Sequence, residues 1–177
     1  QMRLCTAWAS ITSYLGVEAE AASTRALHLC RLAENKPHLF TVLWGLHEVA
    51  LYRVEYRESL ALAQQCMEIA AELGDPGLLL EAHHALWGPY FFLGEYDKAF
   101  AHTRAGLAIY DRAQHEHLSV HYGVHDAGSC ALCEGALALW NMGFPEQARS
   151  QQASADALAQ RLTLSANIAE AYGYAGL

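Results

Sequence analysis

Lysine is what this sequence has least of, and basic charge as a whole is outnumbered. Its 177 residues include two lysines, Lys36 and Lys98, and 11 lysines and arginines in all against 19 acidic residues, for a formal net charge of −8. Neutralising phosphates requires clustered cations, so this scarcity excludes a nucleic-acid-binding stripe and disfavours an anionic membrane surface. Proline is nearly as rare, at four residues, and only 17% of positions are charged while 53% are hydrophobic, a balance that excludes disorder. No apolar run approaches the length of a membrane span before a charged residue or histidine interrupts it. The opening "QMRLCTAW" has no cationic stretch leading into a long apolar core, so no signal peptide is expected. Five cysteines, at 5, 30, 66, 130 and 133, are an odd number in helix-like contexts. That favours reduced thiols and a cytoplasmic setting over a disulfide framework. β-branched residues are few, and the abundance of alanine and leucine favours helix.

What is present is regular punctuation. An apolar segment, 2–15, stops before Gly16, and a second, about 18–34, stops before Asn35-Lys36-Pro37. "GDPG" at 74–77 reads as a helix stop and start, with Gly74 left-handed, Asp75 capping and Pro76 at the first helical position. Gly94 and Gly143 end further helices, and Pro145 opens another. Between these marks lie segments of roughly 14–18 residues with helical periodicity and no strand-like alternation. The segments repeat: the stretch 80–111 resembles the stretch 41–72, with Tyr96-x-x-Ala99 matching Tyr56-x-x-Ser59 at a period of 40. Residues 132–160 give the pattern again, with Phe144 and Ala148 in those places.

This pattern resembles the tetratricopeptide repeat, in which small residues sit where the helices of a hairpin cross. The resemblance assigns those positions to Ser59, Ala63, Cys66, then Ala99, Thr103, Gly106, then Ala148 and Ala155. Small side chains there let helix axes approach closely. His47 and Trp87 depart from it, being bulky where small residues are usual. The strings "LFTVLWGL", "LGDPGLLLEAHHALW", "FLGEYDKAFAHTRAGLAIYD", "HYGVHDAGSCALCEGALALW" and "MGFPEQA" carry a narrower resemblance. They are similar to the C-terminal helical-repeat region of large bacterial signalling proteins in which a class III adenylate/guanylate cyclase domain precedes an ATPase module. That resemblance spans about residues 4–160 and implies a regulatory or interaction segment whose parent carries its catalysis elsewhere. Nothing here matches a phosphate-binding glycine loop, so no catalytic residue is carried over. Where the family has a Tyr-Gly-x-Asp-Pro-Gly-like turn, this chain has Tyr122 to Gly128 with Ala127 in the place of proline and His125 before Asp126.

The same stretch, "HYGVHDAGSCALC", has the residues most suggestive of chemistry. His121 and His125 are four apart and Cys130 and Cys133 three apart, spacings that zinc ligands use. Gly123 and Gly128 break a continuous helix there, the cysteines fall inside a helix rather than a tight turn, and a multi-hairpin core needs no metal to fold. A thiol nucleophile is possible at Cys130, near a helix start capped by Asp126, but the aspartate opposes thiolate formation. The expectation is therefore packing, with no metal, no cofactor and no catalytic residue. A His121, His125, Cys130, Cys133 zinc site, and a metal- or thiol-dependent enzyme built on it, remain the lesser alternative.

Stacked hairpins curve, and their first helices line the concave wall. The repeat register places Arg3, Thr6 and Ser10, then Thr41, Trp44 and Glu48, then Glu81, His84 and Phe91, then Cys130, Cys133 and Trp140 on that wall. Trp44 and Trp140 are equally readable as core, since one residue of register error turns a helix by about 100°. His83 is expected to pack, and Glu48 and Glu81 to be solvated. The connection at 111–125, with His115, His117, His121 and His125, is long for a hairpin turn. It is either a solvated loop or a flap over the groove, with His121, His125 and Asp126 as contact candidates. The sequence thus predicts a single all-α domain over 1–177, a right-handed α-solenoid of about four tetratricopeptide-like hairpins with a fifth begun at 164–177. Both ends break inside helical patterns, which suggests a segment cut from a longer chain. Its expected function is non-catalytic binding, in the cytoplasm, of a protein partner or of other domains of the same polypeptide. A small-molecule effector under the 111–125 loop is the alternative.

Overall fold

The computed structural model describes residues 17–123, 125–162, 167, 168, 171 and 173. Among them every regular element is helical: α1 (Val17–Leu32), α2 (Lys36–Tyr52), α3 (Tyr56–Leu73), α4 (Pro76–Phe92) and α5 (Tyr96–Ile109). A single turn, α6 (Arg112–His115), runs into a 3-10 turn, Glu116–Val120, before α7 (Ala127–Asn141) and α8 (Pro145–Ala159). The expected first helix at 2–15, with Arg3, Thr6 and Ser10, lies outside the described residues, as does most of the expected fifth hairpin.

Local chemistry sets the boundaries. Asn35, Asp75 and Asp126 cap α2, α4 and α7, their side-chain oxygens accepting from the backbone N–H of His38, Leu78 and Ser129. Prolines stand in the first turn of α2, α4 and α8, where a missing N–H costs nothing. The α2–α3 and α4–α5 turns need a left-handed residue at 54 and at 94. The second is Gly94, but the first is Val54 at φ 66°, a β-branched side chain in a conformation such residues avoid.

Each long helix packs on the next long helix in sequence, α5 directly on α7, and α2, α4 and α7 also touch one another in order. These three form an inner layer buried on most sides, while α3, α5 and α8 bury one stripe each. The stripes are Ser59, Ala63, Cys66, Ala70; Ala99, Thr103, Gly106; and Ala148, Ala155, Leu158, Ala159, so the small positions expected at helix contacts are buried there. The two bulky departures have counterparts. Trp87 lies over Gly106, where an added Cβ would come within 3.1 Å of its ring, and His47 meets Ser59, whose Oγ is 2.8 Å from Nδ1. Apolar burial is strung along the chain in several clusters, the largest around Phe40, Leu43, Trp44, Ala63, Leu86 and Tyr122. Another joins Cys133, Ala155, Ala159 and Ala171. A core distributed this way is what stacked hairpins produce. No described helix is long and apolar enough to cross a membrane.

Candidate functional site

The inner layer opens into a cleft of about 470 Å³. Three helices contribute one face each, at the spacing that helical geometry dictates. Helix α2 supplies Trp44, His47, Glu48 and Leu51, α4 supplies His84, Trp87 and Gly88, and α7 supplies Cys130 and Glu134. Tyr52, Val54, Tyr56 and Phe92 form the rim at the hairpin turns, and Gly123 and His125 enter from the connection before α7.

That connection is folded, not a solvated loop. Leu118 packs against the main core, Tyr122 is buried in it, and the Tyr122 hydroxyl lies 3.2 Å from Thr41 Oγ1. Tyr122 meets Phe40 and Trp44 edge to face. Asp111 caps α6, accepting from the backbone N–H of Ala113. His115 is buried and accepts from the backbone N–H of Asp111 through Nδ1. At the far end Asp126 is held on three sides. Its Oδ1 accepts from the N–H of Ser129, its Oδ2 accepts from the Tyr110 hydroxyl, and its own N–H donates to Asn167 Oδ1.

Buried polar groups are linked at the cleft's inner end. Glu81 Oε2 is 2.9 Å from His84 Nδ1, and His84 Nε2 is 2.9 Å from His125 Nε2. The Trp44 indole N–H donates to the Glu81 carbonyl, at 3.0 Å. Burial pushes His47, His84 and His125 each down to about 3. It pushes Glu81 up, with the Asp126 carboxylate adding to the rise and His115 opposing it. Burial thus favours a neutral hydrogen bond over an ion pair at the Glu81–His84 contact. Burial is also the main cause of the raised Tyr122, at about 12, and of the raised Asp126.

The expected wall residues are only partly brought together. Trp44, Glu48 and His84 line the cleft, Glu81 stands directly behind His84, and Thr41 lies apart, against Tyr122. Glu48 and Glu81 are buried, not solvated. Phe91 turns away to meet Tyr96 and Phe92, and Trp140 is exposed at the end of α7. His83 does pack, half-buried, with its Nδ1 2.9 Å from that of His102. Of the four residues weighed for zinc, His125 and Cys130 converge while His121 is exposed and Cys133 faces α8. His84 completes the group instead. His47 and Trp87, marked in the sequence only as too large for their positions, prove to be cleft residues.

No family model matches this chain. Over 166 residues, 91% of its length, it is 26% identical to an uncharacterized protein of Rhizobium meliloti (strain 1021). The chain spans 15% of that protein's length.

Proposed function

We propose that this chain is a non-catalytic, ligand-binding module of a larger bacterial signalling protein, and that the cleft is where its effector sits. The observation that carries this reading is the cleft itself, about 470 Å³ and walled by three inner helices. That size is usual for small-molecule sites, and the make-up is too: apolar walls (Trp44, Trp87, Phe92) with a few placed polar groups (Glu48, His84, Glu134). Aromatic walls with two carboxylates suit a molecule with an apolar body and hydrogen-bond donors. The resemblance to cyclase–ATPase repeat regions supports the regulatory role, and similarity to a stretch of a much longer protein supports placing the chain within a larger one. In this reading the hairpins are tetratricopeptide-like, wind right-handed and work in the cytoplasm. An effector that prefers one curvature shifts the attached modules between states.

A thermal-shift screen of small amine-bearing aromatic metabolites tests it. A binder should raise the Tm of the wild type, quench tryptophan emission and lose affinity at least tenfold in Glu48→Gln or Trp87→Phe. If no compound does so, the small-molecule reading fails. A second reading, a scaffold for protein partners, draws on exposed apolar side chains at successive hairpin turns: Tyr52, Val54, Phe92, Trp140 and Phe144. Saturable binding of another module of the parent polypeptide, lost in Trp140→Ser but kept in Glu48→Gln, would favour that reading instead.

A further inference from the structure

The inner end of the cleft has a feature that a purely organic ligand site does not need. One donor atom from each of His84, His125 and Cys130 lies within 4.8 Å of the other two. An ion about 2.0–2.3 Å from each, the range of zinc–nitrogen and zinc–sulfur bonds, fits such a triangle after small side-chain adjustments. We propose that these three residues bind a divalent zinc-type ion, with the fourth coordination position open to the cleft that all three line. The proposal deepens the ligand-binding reading by naming an ion as part of the site.

Helix-entry geometry brings two of the ligands together. Asp126 is the N-cap of α7, so His125 is the residue before the cap and Cys130 the fourth inside the helix. Side chains at those two positions meet at helix entrances, where an apolar pair usually staples the chain. A histidine and a cysteine there form a ready chelate, and the three-sided grip on Asp126 fixes it. The third ligand comes from α4, 41 positions before His125.

His84 is oriented by a carboxylate. Glu81 at Nδ1 leaves Nε2 as the nitrogen facing His125, the arrangement in which metal-ligating histidines are typically held. Two neutral imidazoles with their Nε2 atoms 2.9 Å apart need something positive between them, either one N–H proton or a cation. The ion replaces that proton. The displaced proton leaves to solvent, and the Glu81 carboxyl passes its own proton across the hydrogen bond to His84 Nδ1, so the imidazole stays neutral with its N–H facing a carboxylate. Cys130 binds as thiolate with release of its own proton. Two nitrogens and one sulfur select zinc-type ions over magnesium or calcium, which require oxygen. Three protein ligands and an open position leave room for water or a ligand atom.

Protein stripped with chelator and titrated with cobalt(II) as the probe decides the matter. One equivalent should bind with tetrahedral d–d absorption and a thiolate-to-cobalt charge-transfer band, and zinc should displace it. Cys130→Ser should abolish the charge-transfer band and Cys133→Ser should keep it. Glu81→Gln should weaken binding about 10–100-fold. His125→Ala, in a connecting segment outside any helix, gives a second ligand deletion if a core variant misfolds. Weak octahedral absorption, sub-stoichiometric uptake, or a band that survives Cys130→Ser would overturn the proposal. Repeating the metabolite screen on stripped protein separates the two readings. Compounds that still bind there while cobalt does not would refute the ion and keep the effector cleft. Cobalt uptake without any compound would do the reverse.

Discussion

The Tyr110 hydroxyl donates to Asp126 Oδ2 at 3.0 Å, joining the end of α5 to the start of α7 across the whole connecting segment. Asp126 is 1% exposed, and its other oxygen caps α7. Removing the hydroxyl leaves a buried carboxylate short of one donor. Tyr110→Phe should cost about 1–2 kcal/mol and Asp126→Ala about 2–3 kcal/mol, since the latter also removes a cap. Urea unfolding of both single variants and the double variant checks this. The two losses should add to more than the double variant shows, because the residues share one bond.

Val54 pairs a left-handed backbone with a β-branched side chain that is 65% exposed. Val54→Gly relieves the strain at a smaller cost in chain entropy and should raise stability by about 1 kcal/mol. A Tm unchanged or lowered would show that Val54 is held by contacts at the cleft rim.

Gly128 lies in the first turn of α7 with the Tyr110 ring against it, and a Cβ there would come within 2.6 Å of ring carbons. Helix propensity alone favours alanine by about 1 kcal/mol. Overpacking should win, and Gly128→Ala should lose about 1–3 kcal/mol. Gly45, with nothing within 4 Å of its Cβ position, is the matched control, and Gly45→Ala should be neutral or stabilising.

His47 gives the fold an acid-sensitive point. Burial lowers it from 6.5 to about 3, against the opposing hydrogen bond to the Ser59 backbone. Above pH 6.5 it is neutral whether folded or unfolded and stability does not change. Between about 6.5 and 3 only the unfolded chain takes up the proton, so stability falls as pH falls, by about 1.4 kcal/mol per unit. From pH 6.5 to 5 the wild type should lose about 2 kcal/mol more than His47→Gln, read from denaturant midpoints.

Much of the helical framework is legible in the chain because its causes are short-range. Asp75-Pro76 and Gly74 act within one turn, and the small residues Ser59, Ala63 and Thr103 recur at a helical spacing that a reader can count. The wall of the cleft is less legible. Trp44, Glu48 and His84 follow from periodicity, but Phe91 and Trp140 lie near helix ends, where the face turned to the next hairpin depends on how the turns pack. Cys130 and Cys133 show the same limit. They are three residues apart on one helix, yet one packs with Trp87 and the other with Ala155 and Ala159.

The sequence by itself determined that the described chain is helical, where most helices begin and end, and which side chains are small enough to let them touch. Propensity, capping and periodicity act over a few residues and need no knowledge of the rest. Only the tertiary structure decided that His84 meets His125, that Trp87 settles over Gly106, and that Glu81 is sealed behind them. Those meetings depend on how successive hairpins register and on the path of residues 111–126 back across the inner layer. Both are set by packing between segments far apart in the chain, on which local sequence rules have no hold.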